Sequence, residues 1–162
     1  MKKLLIVLSG VVVFGSCMKN DFECDFGTCE YTAPATEVQN VETYLSNNGI
    51  TATKHCSGVY YTIDTLGTGR NPEPCSSINV SYVGRQTNGN TFDQSTGADF
   101  DLTRLITGWR NTLPLVKEGG TITLYIPPSL GYGSQDIRDA NGTVILPANS
   151  ILIFQIGLKR VY

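Results

Sequence analysis

Histidine is almost missing: His55 alone stands in 162 residues. A Ser/His/Asp or Cys/His catalytic set therefore has almost no imidazole to draw on, which argues against covalent acyl-transfer chemistry. No Cys-x-x-Cys occurs either, so a tetrahedral zinc site lacks plausible ligand spacing. His55 reads instead as a solvated loop residue, and the sequence points to no metal and no cofactor. Charge is sparse, at 16% of residues, with 12 Lys and Arg against 14 Asp and Glu for a formal net charge of −2. That balance becomes about −4 if Lys2 and Lys3 are cleaved away, and a nucleic acid partner is not expected. Long hydrophobic runs are lacking too. The apolar stretch of residues 4–14 falls far short of the ~20 residues that span a bilayer as a helix.

An apolar content of 41% and 17 glycines describe a folded, turn-rich protein, and the length suits one domain with appended chain. The opening, MKKLLIVLSGVVVFGSC, has a two-lysine start and a short apolar core, so residues 1–16 read as a signal peptide. Gly15 and Ser16 before Cys17 resemble a lipobox, in which Cys17 is acylated and becomes the first mature residue; a plain secretory signal cut near Ser16 is the alternative. Of five cysteines, Cys24, Cys29, Cys56 and Cys75 then remain. Export makes two disulfides the default. Three connectivities are open, and closeness in sequence favours Cys24 with Cys29 and Cys56 with Cys75.

Residues 17–32 are polar and aperiodic, as expected of a lipidated tether. Residues 33–56 read as an N-terminal helix and connector. Val38, Val41 and Leu45 recur at helical spacing over 33–48, with Thr32 as a cap, Pro34 in the first turn and Gly49 as the stop. Such a helix packs most simply on the outside of a β-rich domain. From Gly58 the period changes to two. Val59, Tyr61 and Ile63 define one strand face, Ile78, Val80 and Tyr82 another, and Asn88-Gly89 marks a hairpin turn from which the chain returns through Phe92. Gly108 and Pro114 bracket one short helix containing Trp109 and Leu113. Ile122, Leu124 and Ile126 form a further strand face. The last strand has Leu152, Phe154, Ile156 and Leu158 on one side and Ile151 and Ile153 on the other, so it belongs at the centre of the sheet.

Seven segments stand out in order: Val80-Ser81-Tyr82-Val83-Gly84, Gly89-Asn90-Thr91-Phe92-Asp93, Leu105-Ile106-Thr107-Gly108-Trp109, Lys117-Glu118-Gly119-Gly120, Ile126-Pro127-Pro128, Gly131-Tyr132-Gly133, and the run from Leu146 to Phe154. Singly each is weak. Together they resemble the FK506-binding-protein family of peptidyl-prolyl cis/trans isomerases, over residues 57–162.

The resemblance implies an α+β fold, a bent antiparallel half-barrel of about five strands wrapped around one short helix, with the N-terminal helix as an addition. It implies a proline-binding hollow floored by Trp109 and walled by Tyr82, Phe92 and Phe154. Asp93, the Ile106 N–H and the Tyr132 hydroxyl would be its polar contacts. Phe100, Leu105, Ile145 and Leu146 would complete substrate binding, the last two at the rim. Residue Ala98 falls where many members have a pocket aromatic, and residues 134–144 form a longer, polar loop of the kind that overhangs the pocket. The implied partners are proline-containing peptides and unfolded exported proteins, at a bacterial cell envelope reached through the lipid anchor. A peptide-binding chaperone or adaptor of the same fold, with little turnover, is the alternative.

Overall fold

The structure is a computed structural model and describes Cys29 and residues 31–162. Residues 1–28 and 30, on which the expected signal peptide, the expected acylation of Cys17, Cys24 and most of the expected tether fall, lie outside the described residues. Among the described residues the α-helices and β-strands occur in the order α1 (Ala35–Asn47), β1 (Thr53–Lys54), β2 (Tyr60–Thr65), β3 (Ser77–Arg85), β4 (Thr91–Asp101), α2 (Thr107–Thr112), β5 (Thr121–Ile126), β6 (Ile137–Arg138), β7 (Val144–Leu146) and β8 (Leu152–Val161). Six strands form one antiparallel sheet in the order β1-β2-β5-β8-β3-β4, and β6 pairs with β7 alone. The sheet has one strand more than the expected five because the connector contributes β1, whose Thr53 and Lys54 pair with Tyr61 and Tyr60.

Strand β8 shows why the sheet has two cores. Its even-numbered Leu152, Phe154, Ile156 and Leu158 are buried on the face that holds α2, together with Ile78, Val80, Ile122, Leu124, Trp109 and Leu113. Ile153, with Ile151 just before the strand, points the other way and meets α1 through Val38, Val41 and Leu45, with Tyr60 and Tyr125 between them. Period-two side chains on a central strand can serve both layers at once, and the helix spacing of 38, 41 and 45 supplies the stripe that covers the back.

Several local expectations are corrected. The cap of α1 is Pro34, not Thr32, and it has no side-chain hydrogen bond. The Ala33 N–H donates to the Ser57 carbonyl at 2.8 Å, and a residue before proline is held extended, so the helix starts only after Pro34. Ile63 does not join the core and is 39% exposed, beside the bulge at 63–65 where β2 leaves register with β5. The strand entered at Phe92 is long, since β4 continues to Asp101 with Ala98 opposite Val80 and Phe100 opposite Ile78. Gly108 lies inside α2, not at its boundary. A Cβ there would come within 2.7 Å of the Ile126 side chain, so glycine is what lets the helix approach β5.

The cysteine pairing also differs. Cys29 is joined to Cys56, with Cα atoms 5.8 Å apart, and Cys75 is disulfide-bonded as well. Neither Cys24–Cys29 nor Cys56–Cys75 therefore stands. The Ala33–Ser57 hydrogen bond lays the chain before α1 along the turn at Cys56, whereas β2, with six residues, carries the chain away from Cys56 by about 20 Å before Cys75 is reached. His55 is no solvated loop residue. Its Nδ1 accepts the Ser57 N–H at 3.2 Å and lies 2.9 Å from the Ser57 hydroxyl, and burial pulls its pKa below the usual histidine value.

Candidate active site

Four structural elements deliver aromatic rings to one hollow on the inner face of the sheet. Strand β3 supplies Tyr82, β4 supplies Phe92 and Phe100, β8 supplies Phe154, and α2 supplies Trp109. Trp109 is nearly buried, at 3% exposure, and its ring meets Phe154 at 5.0 Å and Tyr82 at 5.3 Å, both edge to face. Phe92 stands edge-on to Phe154 at 5.4 Å and to Tyr132 at 6.4 Å. Phe100 completes the wall, 6.2 Å from Tyr82 and 6.3 Å from Trp109. Edge-to-face contacts set the positive rim of one ring against the negative face of the next, so the cluster is rigid as well as apolar.

Glycine makes room for it. A Cβ at Gly84 would come within 2.7 Å of Phe154 and 2.8 Å of Phe92. The sequence shows this glycine inside a strand, where it otherwise weakens the element, and the packing of the two rings is what requires it.

The hollow has a volume of about 240 Å³ and is lined by Tyr82, Asp93, Phe100, Arg104, Leu105, Ile106, Trp109, Tyr132 and Phe154. Eight of these are site residues expected from the sequence. Phe92 backs the wall through its ring contacts. Ala98 is not among the lining residues, and Phe100 supplies the aromatic on that side. Ile145 and Leu146, expected at the rim, are not among the residues lining the hollow: Leu146 is 1% exposed within the main core, and the Ile145 carbonyl accepts a hydrogen bond from Gln86 Nε2 at 2.8 Å. Their segment belongs to the β6–β7 hairpin, which Asp139 organises by accepting from the Asn141 and Thr143 N–H groups while Asp136 pairs with Arg138. Arg104 was missed: a cation in a short turn reads as solvated, and only its place directly before Leu105-Ile106 could have signalled it.

Polar groups are few and specifically held. The Tyr82 hydroxyl donates to Asp93 Oδ2 at 2.8 Å, and burial followed by that bond pushes its pKa up to about 12. Burial, then the Asp93 charge, also raises Tyr132 above the usual tyrosine value. Both hydroxyls are donors at neutral pH. Ile106 occupies the cap position of α2, where the first N–H groups of a helix have no partner within it. The Trp109 indole N–H is buried without a partner among the described residues. The site thus combines an apolar floor, a few donors and one carboxylate. Elsewhere, Cys29, His55 and Cys56 bring ligating atoms within 4.8 Å of one another, but the disulfide leaves those sulfurs without thiolate character.

Residues 68–159 match the family of FKBP-type peptidyl-prolyl cis-trans isomerases. An FKBP-type isomerase named FkpA from Buchnera aphidicola subsp. Schizaphis graminum is 42% identical over 113 residues, covering 67% of this chain and 42% of that protein. The FkpA of Aeromonas hydrophila is 32% identical over 74% of this chain and 45% of its own length. The chain therefore spans less than half of the length of these relatives. Among solved structures, a peptidyl-prolyl cis-trans isomerase of Pseudomonas syringae superposes with a TM-score of 0.66 at 29% identity, covering 80% of this chain and 96% of that one. FkpA from Escherichia coli gives 0.64 at 30% identity over 78% of this chain and 58% of that one. The family match, the antiparallel sheet around α2 and the ordered motifs agree: this chain belongs to the FKBP-type peptidyl-prolyl cis-trans isomerase family.

Proposed function

We propose that the protein is a peptidyl-prolyl cis/trans isomerase acting on Xaa-Pro bonds of exported proteins at a bacterial cell envelope. The observation that carries this is the aromatic hollow over Trp109, sized for a prolyl ring and edged by donors. Isomerisation breaks no bond. Its barrier of ~20 kcal/mol is the loss of amide resonance as the C–N bond twists. A twisted amide is less polar than a planar one, so a water-poor aromatic pocket favours it over the solvated ground state. Trp109, Tyr82 and Phe154 grip the ring. The Ile106 N–H and the Tyr132 hydroxyl hold flanking carbonyls, so that rotation is confined to one bond. Asp93 fixes the Tyr82 wall through their hydrogen bond.

The test is the isomerisation rate of a short Xaa-Pro peptide. We expect measurable turnover in the wild type and a loss of about 10- to 100-fold in kcat/KM in Trp109→Ala, the equivalent of removing a side chain that contributes ~1.5 to 3 kcal/mol to pocket binding. Activity indifferent to Trp109 would remove the pocket from the mechanism.

The envelope assignment rests on the N-terminal sequence. Acylated Cys17 would anchor the chain, since two or more acyl chains hold a protein to a membrane where one gives only marginal attachment. Cys17→Ser should stall processing or release the protein from the membrane fraction; unchanged fractionation would refute the anchor.

A further inference from the structure

Two ionised residues line the hollow, Asp93 and Arg104. They are not equivalent. The Asp93 carboxylate is already engaged by the Tyr82 hydroxyl at 2.8 Å. Arg104 has much less to hold it. Its side chain is 84% exposed, and its nearest counter-charge is Asp101, with Arg104 Nε 3.6 Å from Asp101 Oδ2. That carboxylate, itself half exposed, accepts the Ser77 hydroxyl at 2.8 Å through its other oxygen. Among the described residues no acceptor is paired with the Arg104 Nη groups, so a planar fork of donors stands at the edge of the hollow with its charge incompletely neutralised.

The backbone gives this cation a fixed base. Leu102–Arg104 form a single 3₁₀ turn whose Leu102 is fully buried, and the Leu105 N–H closes the turn on the Leu102 carbonyl. Arg104 thus stands two residues before Ile106, whose N–H opens α2. Because Arg104 lines the same hollow as Trp109, it is within reach of a side chain that flanks a prolyl ring held there.

We infer that Arg104 is a specificity-determining residue that favours substrates with an acidic side chain flanking the proline. The inference rests on the reading of the hollow as the prolyl site. A guanidinium meeting a carboxylate at an exposed rim is a modest interaction, and surface ion pairs of this kind are worth about 2- to 5-fold in an equilibrium or rate ratio. Selectivity, not overall turnover, is where it shows.

The experiment compares kcat/KM for two series of short peptides, one varying the residue before proline and one the residue after it, each through Glu, Gln and Lys. The wild type should favour Glu over Lys by about 3- to 10-fold in at least one series, with Gln between them, and the preference should shrink as salt is raised. Arg104→Gln should abolish that preference and Arg104→Glu reverse it. Because each ratio is internal to one protein preparation, a partly misfolded variant does not blur it. Equal Glu-to-Lys ratios in wild type and Arg104→Glu, with the Gln peptides turned over normally, would overturn this inference and leave the isomerase reading intact. No turnover of any peptide by the wild type would overturn both.

Discussion

Tyrosine hydroxyls set the chemistry of two places in this molecule, and both are held protonated. In the hollow, Tyr82 donates to Asp93 and its pKa is pushed up to about 12. On the back of the sheet Tyr60 donates to Glu42, and burial together with that bond also pushes it up to about 12. The same bond, with Lys54 beside it, pulls Glu42 below the usual carboxylate value. A raised folded-state pKa means that the tyrosine's contribution to stability is fully present below its unfolded value and is lost as pH rises through the folded value. The melting temperature should therefore hold from about pH 7 to 9.5 and fall between about pH 10 and 12. Tyr60→Phe should flatten part of that fall in a pH series of thermal melts; an unchanged alkaline slope would show that Tyr60 ionisation is not linked to folding. Single residues differ in how far the sequence reveals them. Tyr82, Trp109 and Tyr132 stand out because ordered motifs contain them. The burial of Leu146 and the place of Arg104 depend on how a loop lies over the sheet, which spacing along the chain does not encode.

Helix α1 and the turn bearing Tyr132 meet at one hydrogen bond. Ser129 N–H, in the single 3₁₀ turn Pro128–Leu130, donates to Glu37 Oε2 at 2.9 Å. The next residues are closely confined. A Cβ at Gly131 would come within 2.5 Å of Leu152, the Gly133 N–H donates to the Pro128 carbonyl at 2.8 Å, and the Asn149 N–H donates to the Gly133 carbonyl at 2.8 Å. Tyr132 lies between these two fastened glycines, so loss of the Glu37 hydrogen bond is expected to be felt at Tyr132. Glu37→Ala should lower kcat/KM by about 2- to 5-fold, as the loss of a charge-assisted hydrogen bond worth ~1 kcal/mol implies. Glu37→Gln keeps an acceptor and should restore most of it. In a Tyr132→Phe background Glu37→Ala should add nothing, and a full additional loss there would show that its effect bypasses Tyr132. Elements with strict periodicity, β8 and α1, are legible in the sequence because burial on two faces writes their pattern directly. Strand β4 is not. It is an edge strand with Gln94, Ser95, Thr96 and Gly97 in its middle and a bulge opposite residues 80–82, so no alternation survives to mark it.

At the scale of the whole molecule, the covalent fastening of α1 lies apart from the aromatic hollow. The Cys29–Cys56 bridge closes a loop with a sequence separation of 27 that contains α1, and the Ala33–Ser57 hydrogen bond lies within the same closure. None of these residues lines the hollow. Cross-linking a loop of that length restricts the unfolded chain by about 3 to 4 kcal/mol in the entropy treatment. When the bridge is cut, α1 is held by the back-face cluster of Val38, Val41 and Leu45 against Tyr60 and Tyr125 and by the hydrogen bonds of Glu42 with Tyr60 and of Glu37 with the Ser129 N–H. The main core around Trp109, Ile122 and Phe154 is unaffected, because it is built from strands whose pairing does not pass through Cys29. Peptide mapping under non-reducing conditions should recover Cys29 joined to Cys56. The paired change Cys29→Ser with Cys56→Ser should lower the melting temperature by roughly 10 °C for a domain of this size. It should leave kcat/KM on a neutral Xaa-Pro peptide within about twofold of wild type at 25 °C, since 3 to 4 kcal/mol is a fraction of a typical domain's stability. A collapse of activity with the melting temperature unchanged would reverse this assignment, making the bridge part of the catalytic geometry and not a fastening for the helix behind it.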